Sequence, residues 1–260
     1  MNKVTDIRKY FVNELAQQRF TIDKTGAKTI EMLGASFVAD EESIFGEPNK
    51  EYIDKEILWY FSGSTNINDI YGGEKEPPAA WKLAANKHGE INSNYGHLIY
   101  STKYYNQFDR VIEELKANPD SRRASMIYTR PSIWKEYNEN GKSDFICTNS
   151  VTYYVREGAV HAVVQMRSND VVFGYKNDYA WQKHVLTELA YELQVNVGTI
   201  TWQVQNLHVY ERHFHLVKET EKEMHSKHYY DFDRNKSFKQ LTAGINGISY
   251  DDFRWVHKRG

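Results

Sequence analysis

Residues 159–194 read AVHAVVQMRSNDVVFGYKNDYAWQKHVLTELAYELQ, and a change of period inside them decides the fold class. Ala159 to Met166 has the β-branched character of a strand, while 179–194 places Trp181, Val185, Leu186, Leu189 and Leu193 at helical spacing. Upstream, Ala124 to Tyr128 and Ser150 to Arg156 also read as strands, and Glu157-Gly158 predicts a hairpin into the 159–166 strand. Thr199 to Val204 reads as a further strand, and 209–224 as an amphipathic helix. Towards the N-terminus, Val4, Ile7, Phe11 and Leu15 predict a helix over 4–17. Phe20 to Ile22 and Thr29 to Val38 predict strands around the turn Lys24-Thr25-Gly26. Helices are expected at 49–62, with Tyr52, Ile53, Ile57 and Phe61 near one face and Glu56 among them, and at 105–117. Between these, 65–96 holds Gly72-Gly73, Pro77-Pro78 and Gly89, predicting mostly loop with a short helix around Trp81. Runs of both element types without regular βαβ alternation predict an α+β fold. Without an internal repeat or a Pro/Gly-rich linker, 1–260 reads as a single domain.

With 40% hydrophobic and 14% aromatic residues, the 260-residue chain can build a substantial core. Its 33 basic and 35 acidic residues give a net charge of −2, which argues against a protein that coats a nucleic acid duplex. The one cysteine cannot form an intrachain disulfide. The opening MNKVTDIRKYFVNEL lacks the apolar core of a signal peptide, and no apolar run approaches the roughly 20 residues of a membrane helix. A cytoplasmic protein is expected.

Cys147 lies in Ser-Asp-Phe-Ile-Cys-Thr-Asn-Ser, just before a strand. A free cysteine is more often a small buried hydrophobe, but a polar setting and several arginines would favour a thiolate. Arg122-Arg123 and Arg167-Ser168 are two such clusters, whose fork and hydroxyl donors suit phosphate oxygens. Taken alone, they read equally as surface arginines paired to acids. Glu56 and Asp178 stand beside Ile57-Leu58-Trp59 and Tyr179-Ala180-Trp181. Drawn into such surroundings, a carboxyl can have a raised pKa and act as acid or base; otherwise each marks the polar side of its helix. Spacing leaves both open. The histidines at 208, 213, 215, 225 and 228 include no His-x-x-x-His pair, so no metal site is predicted. No phosphate-cradling glycine loop or Gly-x-Ser-x-Gly elbow is present either.

DKTG (23–26), EILWYFSGSTNI (56–67), EINSNYG (90–96), NPDSRR (118–123), Cys147, MRSNDVVFGYKNDYAWQK (166–183) and LHVY (207–210) occur in an order and spacing that resembles the thymidylate synthase family. The closest likeness is to its deoxycytidylate hydroxymethylase branch from T-even bacteriophages. The resemblance implies a mixed β-sheet packed with helices, a sheet face forming a homodimer interface, and a pyrimidine nucleotide monophosphate as substrate. It also implies 5,10-methylenetetrahydrofolate as co-substrate, and host cytoplasm if the source is viral. Cys147 matches the nucleophile that adds to C6 of the pyrimidine, and Glu56 the carboxylate that orders water and moves protons. Arg167 and Ser168 match phosphate ligands, with Lys24 where the family usually has an arginine. Arg122 and Arg123 match the pair that reaches the neighbouring subunit's site. His208 and Tyr210 match the residues that hold the sugar 3′-hydroxyl. Trp81, Asp170 and Gly174 match positions around the folate, and Tyr95 one near the reacting carbon.

The departures from thymidylate synthase are informative. Asp178 stands where that enzyme has Asn, and an acidic group suits the N4 amino group and N3 of cytosine. Ile146, Thr148 and Asn177 replace its proline, histidine and phenylalanine, which matches the hydroxymethylase branch. Ile248 to Val256 resembles the family's late strand, but His257-Lys258-Arg259-Gly260 is not its usual ending. The resemblance thus implies a deoxycytidylate 5-hydroxymethyltransferase. A thymidylate synthase, a dUMP or CMP hydroxymethylase, and a non-catalytic nucleotide- or RNA-binding protein on the same scaffold are the other readings.

Overall fold

A computed structural model describes residues 1–22 and 26–234, with side chains described up to 224. Lys24 and the Ile248 to Val256 segment therefore lie outside the described residues. In chain order the elements are β1 (Asn2–Lys3), α1 (Val4–Ala16), β2 (Thr21–Ile22), β3 (Lys28–Val38), α2 (Lys50–Ser62), α3 (Ala79–Ala84), α4 (Tyr95–Tyr100), α5 (Gln107–Ala117) and β4 (Ser125–Ile127). They continue with α6 (Ile133–Glu136), β5 (Thr148–Arg156), β6 (Ala159–Asp170), α7 (Gly174–Leu193), β7 (Asn196–Tyr210) and α8 (Phe214–Arg234). The strands form one mixed sheet in the order β1-β3-β7-β6-β5-β4, with β2 on β3. Residues Met1–Val217 make up one compact unit, which holds every described site residue; a second unit begins at Lys218. No helix among the described residues is long and apolar enough to cross a membrane.

Alternation along the strands separates two sheet faces. Val160, Ala162, Val164 and Met166 of β6 are buried with Val151, Tyr153, Trp202 and Val204 of the flanking strands and with Trp181, Leu186 and Leu189 of α7. The opposite face carries a polar ladder. Ser150 Oγ donates to Gln165 Oε1 at 3.1 Å, and Gln165 Nε2 to Gln203 Oε1 at 3.2 Å. Glu157 (φ 52) and Gly158 (φ 72) both take left-handed conformations, as a two-residue hairpin turn requires. Helices α2 and α4 meet closely at Gly96, where a Cβ would fall 1.9 Å from the Tyr60 carbonyl oxygen. Only glycine permits that approach.

Several boundaries differ from the sequence expectation. The helix expected at 179–194 begins at Gly174, because Asp170 accepts the Val172 and Phe173 N–H groups at 3.0 Å and turns the chain directly into it. The segment 209–224 is not helical from its start. Val209 and Tyr210 pair with Ile30 and Thr29 and finish β7, so α8 starts at Phe214. On α2 the deepest face is Glu56, Trp59 and Tyr60, whereas Phe61 is exposed although its ring stacks on Tyr100.

Candidate active site

Strands β6 and β7 run parallel and are joined by α7, so their carboxyl ends open side by side, with Ser168 opposite Asn206 and Asp170 opposite His208. In open sheets such strand ends are where ligands collect. Cys147 reaches the same place from β5, whose Thr148 pairs with Met166. Arg167 N–H donates to the Cys147 carbonyl at 2.9 Å. The Arg167 guanidinium then folds back, donating to the carbonyls of Ile146 (3.1 Å) and Phe145 (2.5 Å) and to Cys147 Sγ (3.5 Å). Its carbon sits 4.9 Å from the centre of the Phe145 ring. Burial pushes the thiol up to about 11; Arg167 pulls it down, while Asp178 and Asp144 raise it. Cation proximity is the usual route to a reactive thiolate, and here Arg167 supplies it.

A second cluster faces this one from α2. Glu56 is buried; its Oε1 accepts from the Tyr52 hydroxyl at 2.5 Å and from Trp81 Nε1 at 3.0 Å. Burial raises the carboxyl to about 7 against the pull of those two donors, which poises it to give or take a proton near neutrality. Trp81 packs edge-on against Trp59, with ring centres 5.2 Å apart. Tyr95 begins α4 and lies buried, its hydroxyl accepting from Thr148 Oγ1 at 2.9 Å.

Asp178 lies one turn into α7. Its Oδ2 accepts from Asn169 Nδ2 at 2.8 Å, and Tyr95 also hydrogen-bonds to it. Burial first and the charge of Glu56 second hold its carboxyl well above the ordinary range, which favours the protonated form. Asp170 and Gly174 adjoin it. Asp170 caps α7, and a Cβ on Gly174 would stand 3.0 Å from Asn169 Nδ2. His208 and Tyr210 project from the end of β7 two residues apart, hence on one face, with ring centres 4.9 Å apart. Burial lowers the His208 pKa, leaving a neutral imidazole able both to donate and to accept.

The fold therefore brings together Cys147, Arg167, Ser168, Asp170, Gly174, Asp178, His208, Tyr95, Glu56 and Trp81 around the ends of β5, β6 and β7. Arg122 and Arg123 are not among them. Ile127 pairs with Ser150 and Ser125 with Thr152, so the chain preceding β4 runs away from Cys147. Both arginines are exposed there, and Arg123 Nε donates to Glu114 at 3.0 Å.

Sequence reading missed three contributors. Tyr52 lies four residues before Glu56, a helical spacing that could have exposed the pair. Asn169 is buried behind Asp178, its Oδ1 accepting from Trp202 Nε1 at 3.3 Å. Asp144 clamps the loop before α4 to the chain before Cys147, accepting from the N–H groups of Asn92 (2.6 Å) and Ser93 (2.8 Å) and from Ser93 Oγ (2.6 Å). Neither of these two had a local sequence signal.

A half-buried thiol, a carboxyl raised above its ordinary range, a near-neutral carboxyl and an arginine make a site suited to covalent addition with proton transfers. The Thymidylate synthase family pattern matches residues 14–257. The chain is 53% identical over 221 residues to the Deoxycytidylate 5-hydroxymethyltransferase of Enterobacteria phage T4, covering 82% of this chain and 89% of that protein. The same figures hold for the phage T2 protein of that name. A Thymidylate synthase of Francisella philomiragia is 24% identical over 212 residues, 76% of each chain.

Proposed function

Because the chain belongs to the thymidylate synthase family, we propose that it is a deoxycytidylate 5-hydroxymethyltransferase. It converts dCMP, 5,10-methylenetetrahydrofolate and water into 5-hydroxymethyl-dCMP and tetrahydrofolate. The observation that carries the substrate assignment is Asp178: a carboxyl held by Asn169 and close enough to act on the Cys147 thiol, which in its protonated form offers one donor and one acceptor, the complement of cytosine N3 and N4–H.

In this reading Arg167, Ser168 and Lys24 bind the phosphate, and His208 and Tyr210 hold the sugar hydroxyl. The Cys147 sulfur adds to C6 of the ring, which gives C5 the electron density to attack a one-carbon donor. The folate supplies that carbon as a methylene group. Exposed Phe173 and the half-buried Trp81, next to Gly174 and Glu56, provide the aromatic surfaces on which a pterin can stack. Glu56, poised at about 7, handles the protons and orders the water that completes the hydroxymethyl group. Loss of the C5 proton and departure of tetrahydrofolate leave an exocyclic methylene; water adds to that carbon, and release of the Cys147 sulfur from C6 restores the ring.

The polar outer face of the sheet supports a homodimer packed through it, with Arg122 and Arg123 serving the neighbouring site. The chain acts as a single catalytic domain, in the host cytoplasm if viral. The test is separate incubation of the full chain with dCMP, dUMP and CMP, each with methylenetetrahydrofolate, followed by mass analysis. A gain of CH2O on dCMP alone is expected. A CH2 gain on dUMP with dihydrofolate would make the chain a thymidylate synthase instead.

A further inference from the structure

We propose that Asn169 sets the base preference of this site by fixing which oxygen of Asp178 can carry a proton. The inference rests on the deoxycytidylate reading above. Asn169 is 3% exposed and lies between two partners. One is the Trp202 indole nitrogen, 3.3 Å from Asn169 Oδ1. An indole N–H can only donate, so the amide atom facing it is the oxygen, and the amide nitrogen must face Asp178 Oδ2, 2.8 Å away. Trp202 is itself fully buried and packs edge-on against Tyr175, with ring centres 5.3 Å apart, so this anchor has one position. Gly174 leaves the space the amide occupies, since a Cβ there would crowd Asn169 Nδ2.

The consequence follows from hydrogen-bond complementarity. A carboxylic acid has one O–H donor and one carbonyl acceptor. Cytosine presents the N3 acceptor and the N4–H donor; uracil presents the N3–H donor and the O4 acceptor. A neutral Asp178 could therefore pair with either base, according to which of its oxygens holds the proton. Asn169 takes that freedom away. Receiving an N–H makes Oδ2 the better placed acceptor and favours the proton on Oδ1. With Oδ2 towards the exocyclic group and Oδ1–H towards N3, cytosine is matched on both atoms. Uracil in the same pose sets Oδ2 against O4, acceptor against acceptor. The other groups coupled to Asp178 are Glu56 and Tyr60 on α2, Tyr95 on α4, Tyr128 after β4, Asp170 on β6 and Cys147 before β5. Among them only Tyr95 adds a further hydrogen bond to the carboxyl.

Asn169→Leu keeps the shape and removes the donor. The measurement is kcat/KM for dCMP and for dUMP on the full chain with methylenetetrahydrofolate, together with nucleotide Kd by calorimetry. The dCMP to dUMP ratio is expected to fall about tenfold, the scale of one buried hydrogen bond. Trp202→Phe, which frees the amide to turn over, is expected to shift the ratio in the same direction by less. An unchanged ratio, or an equal loss on both nucleotides, overturns the inference, because a purely structural Asn169 would affect both bases alike. Should Asn169→Leu fail to fold, the ratio for Trp202→Phe decides the matter. Wild-type protein that works on dUMP in place of dCMP would sink the functional reading itself, an outcome separable from either variant's ratio.

Discussion

Replacing Glu56 with Gln removes a group whose protonation is tied to folding. Burial raises the carboxyl from 4.5 to about 7 in the folded chain. The folded state then holds the proton more tightly than the unfolded one. The stabilising contribution is complete below pH 4.5 and is lost as pH rises through 7. Once both states are ionised the shift amounts to about 3 kcal/mol, of which about 2.5 kcal/mol develops between pH 5 and pH 8. Gln has nearly the same volume, and its carbonyl oxygen can still accept from Tyr52 and Trp81. It has no proton to lose. Between pH 5 and pH 8 the wild-type chain should therefore lose about 2.5 kcal/mol more than the variant. Part of the difference passes through Asp178, whose pKa Glu56 also raises; removing Glu56 flattens that contribution in the variant, which acts in the same direction. Urea melts of both proteins at pH 5, 6, 7 and 8 measure the difference directly. Parallel stability curves would refute the assignment of Glu56 as a buried, near-neutral carboxyl. The same variant should lose roughly 10²- to 10⁴-fold in turnover, the usual scale for a proton-transferring group.

Cys147→Ser should lose turnover on the order of 10³-fold or more while calorimetry shows nucleotide affinity largely kept; substantial remaining turnover would remove Cys147 as nucleophile. Asp178→Asn should shift preference from dCMP towards dUMP by roughly 1–3 kcal/mol, about 5- to 150-fold in the ratio of kcat/KM. An unchanged ratio would mean that Asp178 does not read the base. Mixing inactive Cys147→Ser with inactive Arg122→Ala should form hybrid dimers with one intact site and recover roughly a quarter of wild-type activity. Failure to complement, with subunit exchange shown independently, would count against arginines acting across the interface.

The strand-to-helix switch at 159–194 was legible because the two periods differ, and the α+β class followed from it. Boundaries were less so. The 209–224 segment has helical spacing, but Val209 and Tyr210 belong to β7 because β3 lies alongside to receive them, which no local pattern records. Cys147 and Glu56 were candidates from residue type, yet what makes them chemical is burial and the approach of Arg167, Tyr52 and Trp81, all products of tertiary packing. Asn169 was hidden for a similar reason. A buried Asn in a strand is informative only once Trp202 and Asp178 are seen on either side of its amide.

The high pKa of the Cys147 thiol also gives the chain a built-in reporter of its own opening. At pH 8 a thiol held at about 11 is ionised about 100-fold less often than the same group at its ordinary 9.0. Alkylating reagents attack the thiolate, so the closed molecule reacts slowly and any opened one quickly. With one cysteine in the sequence, no second thiol confuses the reading. The rate of label uptake then reports how firmly the surroundings of residue 147 hold the thiol protonated. Nucleotide that covers the thiol should slow it, which makes a chemical modification assay into a measure of occupancy beside Cys147.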